Sequence, residues 1–153
     1  MLIRKANIND IEQLIKLRID YLVEERGSLS KDEESAIKKQ LKSYFQKHIS
    51  DDSFVGIVAD VEGVIASTAF LVISERPANP AFITGLKGTI YNVLTYPEYR
   101  RKGIATKVLE ALIEEAKRAN VSSVELMATK DGKYLYEKLG FKEPTFTAMR
   151  LQL

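Results

Sequence analysis

The chain predicts an α/β domain built on a mixed β-sheet, and three observations carry that prediction. Residues 88–95 are rich in β-branched and aromatic side chains and read as a strand, which runs through a short loop into Ile104, Val108, Leu109, Leu112, Ile113 and Ala116, an apolar stripe at helical spacing. Two further apolar runs, 54–59 and 64–73, are joined by a turn-prone segment, 60–63, and read as an antiparallel hairpin. Ahead of them lie two stretches with helical periodicity and helix-start signals. Helices and strands alternate along one chain, which is the α/β pattern.

Taken in order, residues 2–5 alternate as a short first strand. Asn9 with Glu12 forms a capping-box-like pair, and Ile11, Leu14, Ile15, Leu22 and Val23 stripe the first helix until Gly27 and Ser28 break it. Ser30 with Glu33 is a second capping box, opening a helix marked by Ile37, Leu41, Tyr44, Phe45 and His48 and closed by residues 51–53. After the hairpin, residues 75–88 hold Pro77, Asn79, Pro80 and Gly85 and form the long loop of the chain, a length that is often functional inside a compact domain. The strand at 88–95 is the fourth, the helix that follows spans 104–119, and a fifth strand covers 123–128. Residues 131–139 make a short helix ended by Gly140, and beyond Pro144 a last strand is expected over 145–151.

At 153 residues the expectation is a single domain over residues 1–153. Cysteine is absent and there is one histidine, so disulfides and thiolate metal sites are excluded. The longest apolar run, 64–73, is interrupted by Ser67 and Thr68 and is too short for a bilayer. The first residues lack the apolar stretch of a signal peptide, which makes the cytoplasm the expected compartment. Net charge is +2, without the strongly basic face of a nucleic-acid binder. Neither nucleic acid nor membrane is expected as a partner.

The chemistry concentrates in the segment 96–105, between the fourth strand and the third helix. Arg100, Arg101 and Lys102 stand at the N-terminus of that helix, beside a turn at Gly103. The first N–H groups of a helix lack internal partners and lie at the positive end of its dipole, where cations are disfavoured unless an anion joins them. A diphosphate fits that place. The runs G-x-x-x-x-G-K-[ST] and G-x-G-x-x-G are both missing, which removes P-loop and dinucleotide readings.

What stands there is R-x-x-G-x-A, from Arg100 through Gly103 to Ala105, after a strand and a Pro-Glu pair. It resembles the pyrophosphate-binding signature of the GNAT superfamily, the acetyl-CoA-dependent N-acetyltransferases. The run L-Y-E-K-L-G-F, from Leu135 to Phe141, is similar to the segment that follows the fifth strand in that family. With the element order on both sides, the resemblance covers essentially the whole chain.

The resemblance implies a mixed central sheet flanked by helices, with strands four and five splayed at the cofactor site, acetyl-CoA as cosubstrate and no metal. Arg100 and the backbone N–H groups of Arg101, Lys102, Gly103, Ile104, Ala105 and Thr106 would hold the phosphates. Free backbone groups at Val93, Leu94 and Thr95 would meet the pantetheine arm and the acetyl oxygen. Tyr136 would be the general acid that protonates the departing thiolate; a phenol is protonated at neutral pH. The general base stays open between Glu75, at the end of strand three, and a water relay through backbone carbonyls and Asn92. Thr129 stands where the family often carries an Asn. The expected activity is transfer of an acetyl group to a primary amine of a small molecule or peptide, by direct attack in a ternary complex, in a monomer or homodimer. The alternative is a non-catalytic acyl-CoA-binding sensor or partner module on the same fold.

Two other features have competing readings. His48 lies on the apolar stripe of the second helix and reads as a core or edge histidine. Asp20, Glu24, Glu25, Asp32, Glu33 and Glu34 flank the turn between the first two helices, where they either attract a cationic amine or, from Asp32 onward, complement a helix dipole.

Overall fold

The computed structural model describes residues 1–153. Strands β1 (Leu2–Lys5), β2 (Phe54–Val61), β3 (Val64–Glu75), β4 (Leu86–Thr95) and β5 (Ser123–Glu125) form one sheet in the order β1-β2-β3-β4-β5. The first four pair antiparallel, and β5 joins β4 in parallel. That is the mixed sheet of the expected α/β class. The helices are α1 (Ile11–Arg26), α2 (Lys31–Ser50), α3 (Ile104–Arg118) and α4 (Lys133–Lys138).

Each face of the sheet carries its own core. On one side α1 and α2 bring Leu14, Leu17 and Phe45 against Phe54, Phe70 and Leu94. On the other, Val108, Leu109 and Leu112 of α3 close over Val55, Leu71 and Ile90. Strands covered on both faces have no polar side to show, and β2 and most of β3 accordingly run as continuous buried residues.

The second capping box forms as expected: Ser30 Oγ accepts from Glu33 N–H at 3.1 Å and Glu33 Oε2 from Ser30 N–H at 3.0 Å. The first sits two residues earlier than the sequence suggests, between Asn7 and Asp10, because a single 3-10 turn (Ile8–Asp10) precedes α1. Asp10 then accepts both the Asn7 N–H at 2.8 Å and a two-pronged contact from Arg4, each prong 2.9 Å. The β2–β3 turn places Glu62 and Gly63 at φ 54° and 84°, the left-handed pair that a two-residue hairpin requires.

Three boundaries differ from expectation. β4 begins at Leu86, opposite Glu75, so Gly88 lies inside the strand and the long loop shrinks to residues 76–85. A Cβ on Gly88 would come within 2.8 Å of Leu71, so glycine there serves close packing rather than a loop. β5 stops at Glu125 instead of running to residue 128. The last strand is not formed; Phe146, Met149 and Leu151 are exposed, and without a neighbouring ladder a strand has no partner for its backbone groups. No helix is long and apolar enough to cross a membrane.

Candidate active site

The site begins where two strands part. β5 pairs with β4 only from Lys87↔Ser123 to Thr89↔Glu125, so from Ile90 to Thr95 that edge of β4 has no strand beside it. Within this stretch the β3–β4 register slips: Phe70 opposes Tyr91, yet Thr68 opposes Leu94. The extra residue is a bulge, and Asn92 takes φ 57°, a left-handed value that asparagine tolerates better than most residues. Ile90 therefore packs with α3 while Leu94 packs with α1 and α2, although residues four apart on a regular strand share a face.

Asn92 is 2% exposed. Its Nδ2 donates to the Leu17 carbonyl at 3.2 Å, and its Oδ1 accepts from Arg18 Nη1 at 3.4 Å. The bulge is thereby pinned to α1. Further along, Tyr96 N–H donates to Ala66 across β3. Strand alternation then turns the backbone groups of Thr95 and Val93 to the open edge, and those of Leu94 to β3. The Leu94 carbonyl accepts from Ser67 Oγ at 2.9 Å, and the Leu94 side chain is in the core, so of the three expected β4 positions this one faces away.

At the end of β4 the chain makes one 3-10 turn (Pro97–Tyr99), then takes left-handed values at Arg101 (φ 60°) and Gly103 (φ 72°) before entering α3. The backbone N–H groups of Arg101 through Thr106 have no partner in the chain. Successive free N–H groups around left-handed residues make an anion-binding concavity, here at the positive end of α3. Side chains of the three cations behave less uniformly. Arg100 donates to Glu24 of α1 at 2.5 Å and to the Thr95 carbonyl at 2.8 Å. Lys102 donates to the Glu98 carbonyl at 3.0 Å, and Arg101 alone is exposed without a partner. Four residues before Glu24, Asp20 accepts from the Tyr96 hydroxyl and from Lys16, so one face of α1 grips both ends of the loop.

Tyr136 approaches from α4. Thr129 Oγ1 accepts from the Gly132 N–H at 3.1 Å to start that short helix, and Gly140 at φ 93° ends it. The Tyr136 ring meets Phe141 edge-on at 6.0 Å and lies over Gly132, where a Cβ would come within 3.1 Å of it. Its hydroxyl makes no hydrogen bond within the chain. Burial pushes the phenol's pKa up, and Tyr21 of α1 acts in the same direction. The proton stays on. Tyr134, in contrast, is 68% exposed beneath Lys138.

Glu75 stands apart from this assembly. It is exposed opposite Leu86, about six strand positions or roughly 20 Å before Asn92. His48 packs on Tyr44 and contacts Ser53 at 2.6 Å, which accounts for it structurally.

Residues 12–141 match the Acetyltransferase (GNAT) family. The chain belongs to that family. As a GNAT acetyltransferase it is similar to a predicted acetyltransferase of Clostridium acetobutylicum solved with acetyl-CoA, at 32% identity and a TM-score of 0.87, covering 99% of this chain and 95% of that one. It is 27% identical to an N-alpha-acetyltransferase of Saccharolobus solfataricus over 92% of this chain and 80% of that protein. An uncharacterised N-acetyltransferase of Pyropia yezoensis is 34% identical over 52% of this chain; the match takes in about half, 51%, of that relative's length. The open edge of β4 and the free N–H groups after it are consistent with a long, phosphate-bearing thioester such as acetyl-CoA.

Residues of this acetyltransferase that the sequence did not single out are Gly132, Tyr96 and Arg18. The first supports the Tyr136 ring, and the other two meet partners more than seventy positions away in the chain. No local pattern carries such pairings.

Proposed function

We propose that the protein moves an acetyl group from acetyl-CoA to a primary amine of a peptide or small molecule, by direct attack in a ternary complex. One arrangement carries this reading: Val93 on the open edge of β4, Ile104 at the end of the free N–H run and Tyr136, whose hydroxyl is unpaired, all pack on the core beneath α3. The N–H run and Arg101 hold the diphosphate. Arg100, tied to Glu24 and to the Thr95 carbonyl, braces the loop in shape. The backbone groups of Val93 and the Thr95 N–H hold the pantetheine arm, and a backbone N–H on that edge polarises the acetyl carbonyl; such a donor typically contributes about 3 kcal/mol to lowering a barrier.

The amine nitrogen bonds to the acetyl carbon, the carbon–sulfur bond breaks, and Tyr136 gives its proton to the thiolate. The amine's own proton passes to water held at the β4 edge. Glu75 is too remote for that role, and both ends of the Asn92 amide are already engaged. Similarity to an N-alpha-acetyltransferase favours peptide α-amines among the acceptors. Thiol release from acetyl-CoA, measured over polyamines, amino acids, aminoglycosides and peptides, tests the reading. Turnover with at least one amine supports it; CoA binding with no turnover on any of them returns the protein to the sensor alternative.

A further inference from the structure

Beside the proposed reaction centre, α1 and α2 enclose a cleft of ≈ 530 Å³. Leu22, Leu29, Ile37 and Leu41 form its apolar walls, and Arg18 and Arg26 stand on its α1 side, one turn to either end of Leu22. The carboxylates around it are mostly committed. Asp20 holds Tyr96 and Lys16, Glu24 holds Arg100, Glu34 holds Lys38, and Glu33, on the cleft's own lining, accepts the Ser30 N–H. That pattern argues against an acidic pocket built to draw in a cation.

The arginines are the unpaired groups. Arg18 makes one hydrogen bond, the 3.4 Å contact to Asn92, and neither arginine joins an ion pair. Burial pushes the Arg18 pKa down, and the nearby Arg26 acts in the same direction, while Tyr21, Glu25 and Tyr91 face the guanidinium without forming an ion pair with it. A helix C-terminus accounts for the cation at Arg26. It does not account for Arg18, in mid-helix and only partly exposed. A half-buried guanidinium keeps its charge at a cost in desolvation that an incoming carboxylate offsets, and its fork of donors matches a carboxylate in two-pronged fashion.

Arg18 is also placed to act on an acceptor. It contacts Asn92, the neighbour of Val93 on the β4 edge, and stands 5.7 Å from the ring of Tyr21. We infer that the amine acceptor carries a carboxylate, bound by Arg18 with Arg26 beside it, and an apolar group seated against Leu22, Leu29 and Ile37. This rests on the acetyl-transfer reading above. The carboxylate belongs either to a free amino acid or to an acidic side chain of a peptide.

Both sources can be tested with acid–amide pairs: leucine against leucinamide, and the amidated tripeptides Leu-Glu-Ala against Leu-Gln-Ala. The quantity read is the acid-over-amide ratio of kcat/KM in the natural protein divided by the same ratio in Arg18→Met, which cancels the intrinsic reactivity of each amine. A double ratio of about 10 to 100 in one pair is expected, and the pair that shows it names the source. Arg26→Met, at an exposed helix end, gives a smaller change in the same direction and serves if Arg18→Met fails to fold. Calorimetric binding of the same pairs to the CoA-saturated protein separates this inference from catalysis. Absence of thiol release with preferential, Arg18-dependent binding of the acids overturns acetyl transfer but keeps the anion site. A double ratio near one, or equal or absent binding of acids and amides, overturns the inference.

Discussion

Replacing Gly103 by alanine isolates the backbone geometry on which the phosphate site depends. Gly103 adopts φ 72°, and nothing lies within 4 Å of the position its Cβ would take, so the substitution introduces no clash. What it introduces is the left-handed penalty, about 1–2 kcal/mol for a residue with a Cβ. In the free protein the exposed loop escapes that penalty by relaxing, and the N–H groups of residues 101–106 lose their alignment. Binding CoA must restore the left-handed turn, so the cost moves into affinity, which should fall about 5- to 30-fold at 1.4 kcal/mol per factor of ten. Gly27 provides a matched control: it ends α1 at φ 89° with equally open space around it. There alanine should cost about 1 kcal/mol of stability and leave CoA affinity unchanged. Calorimetric CoA titrations and urea unfolding of both variants measure the two quantities. Natural CoA affinity in Gly103→Ala, or an equal affinity loss in Gly27→Ala, would mean that the phosphate site does not depend on the left-handed turn at Gly103.

Arg100→Ala should raise the KM for acetyl-CoA several-fold and change kcat at saturation little, because a loop brace acts equally in ground and transition states; a defect confined to kcat in steady-state kinetics contradicts this. The hydrogen bonds from Arg4 hold the Asp10 carboxyl below its usual range. A depressed carboxylate stabilises the fold above its unfolded pKa of about 3.9 and loses that contribution as pH falls through the folded value. Asp10→Asn should therefore cost about 1–3 kcal/mol at pH 7 by urea unfolding, and its stability should fall less steeply than the natural protein's below pH 4. At the bulge, Asn92→Ala should be less stable than Asn92→Gly by about 1 kcal/mol, since glycine accepts the left-handed φ that alanine resists; the reverse order in unfolding experiments would mean the bulge is not retained.

The parts legible in the sequence are those written in local chemistry. The Ser30–Glu33 box, the left-handed turn around Gly63 and the apolar stripe of α3 all depend on residues within a turn or two of each other, and each forms where its pattern lies. The β4 bulge does not. Residues 88–95 read as an unbroken strand because the irregularity is set by Asn92 reaching the Leu17 carbonyl on another element. The same limit applies to Arg100, whose position in the R-x-x-G-x-A run is plain while its pairing with Glu24 on α1 is not. From the sequence, Glu75 reads as a candidate acid because of its place at a strand end. Only the antiparallel register shows that this end lies opposite the first residue of β4 rather than at the open edge. The tail after Pro144 has strand-like composition, but a strand also needs an edge to join.

Tyr136→Phe tests the proposed acid most directly, because it removes one oxygen that makes no hydrogen bond in the chain and leaves the ring on Phe141 and Gly132. Stability should change by less than about 0.5 kcal/mol. The decisive measurement is the single-turnover rate of acetyl transfer with bound acetyl-CoA, taken beside the CoA affinity of the same two proteins. A general-acid role for Tyr136 predicts a rate about 10²- to 10⁴-fold slower in the variant at nearly constant affinity. An unchanged single-turnover rate would contradict it and leave Tyr136 as a packing residue.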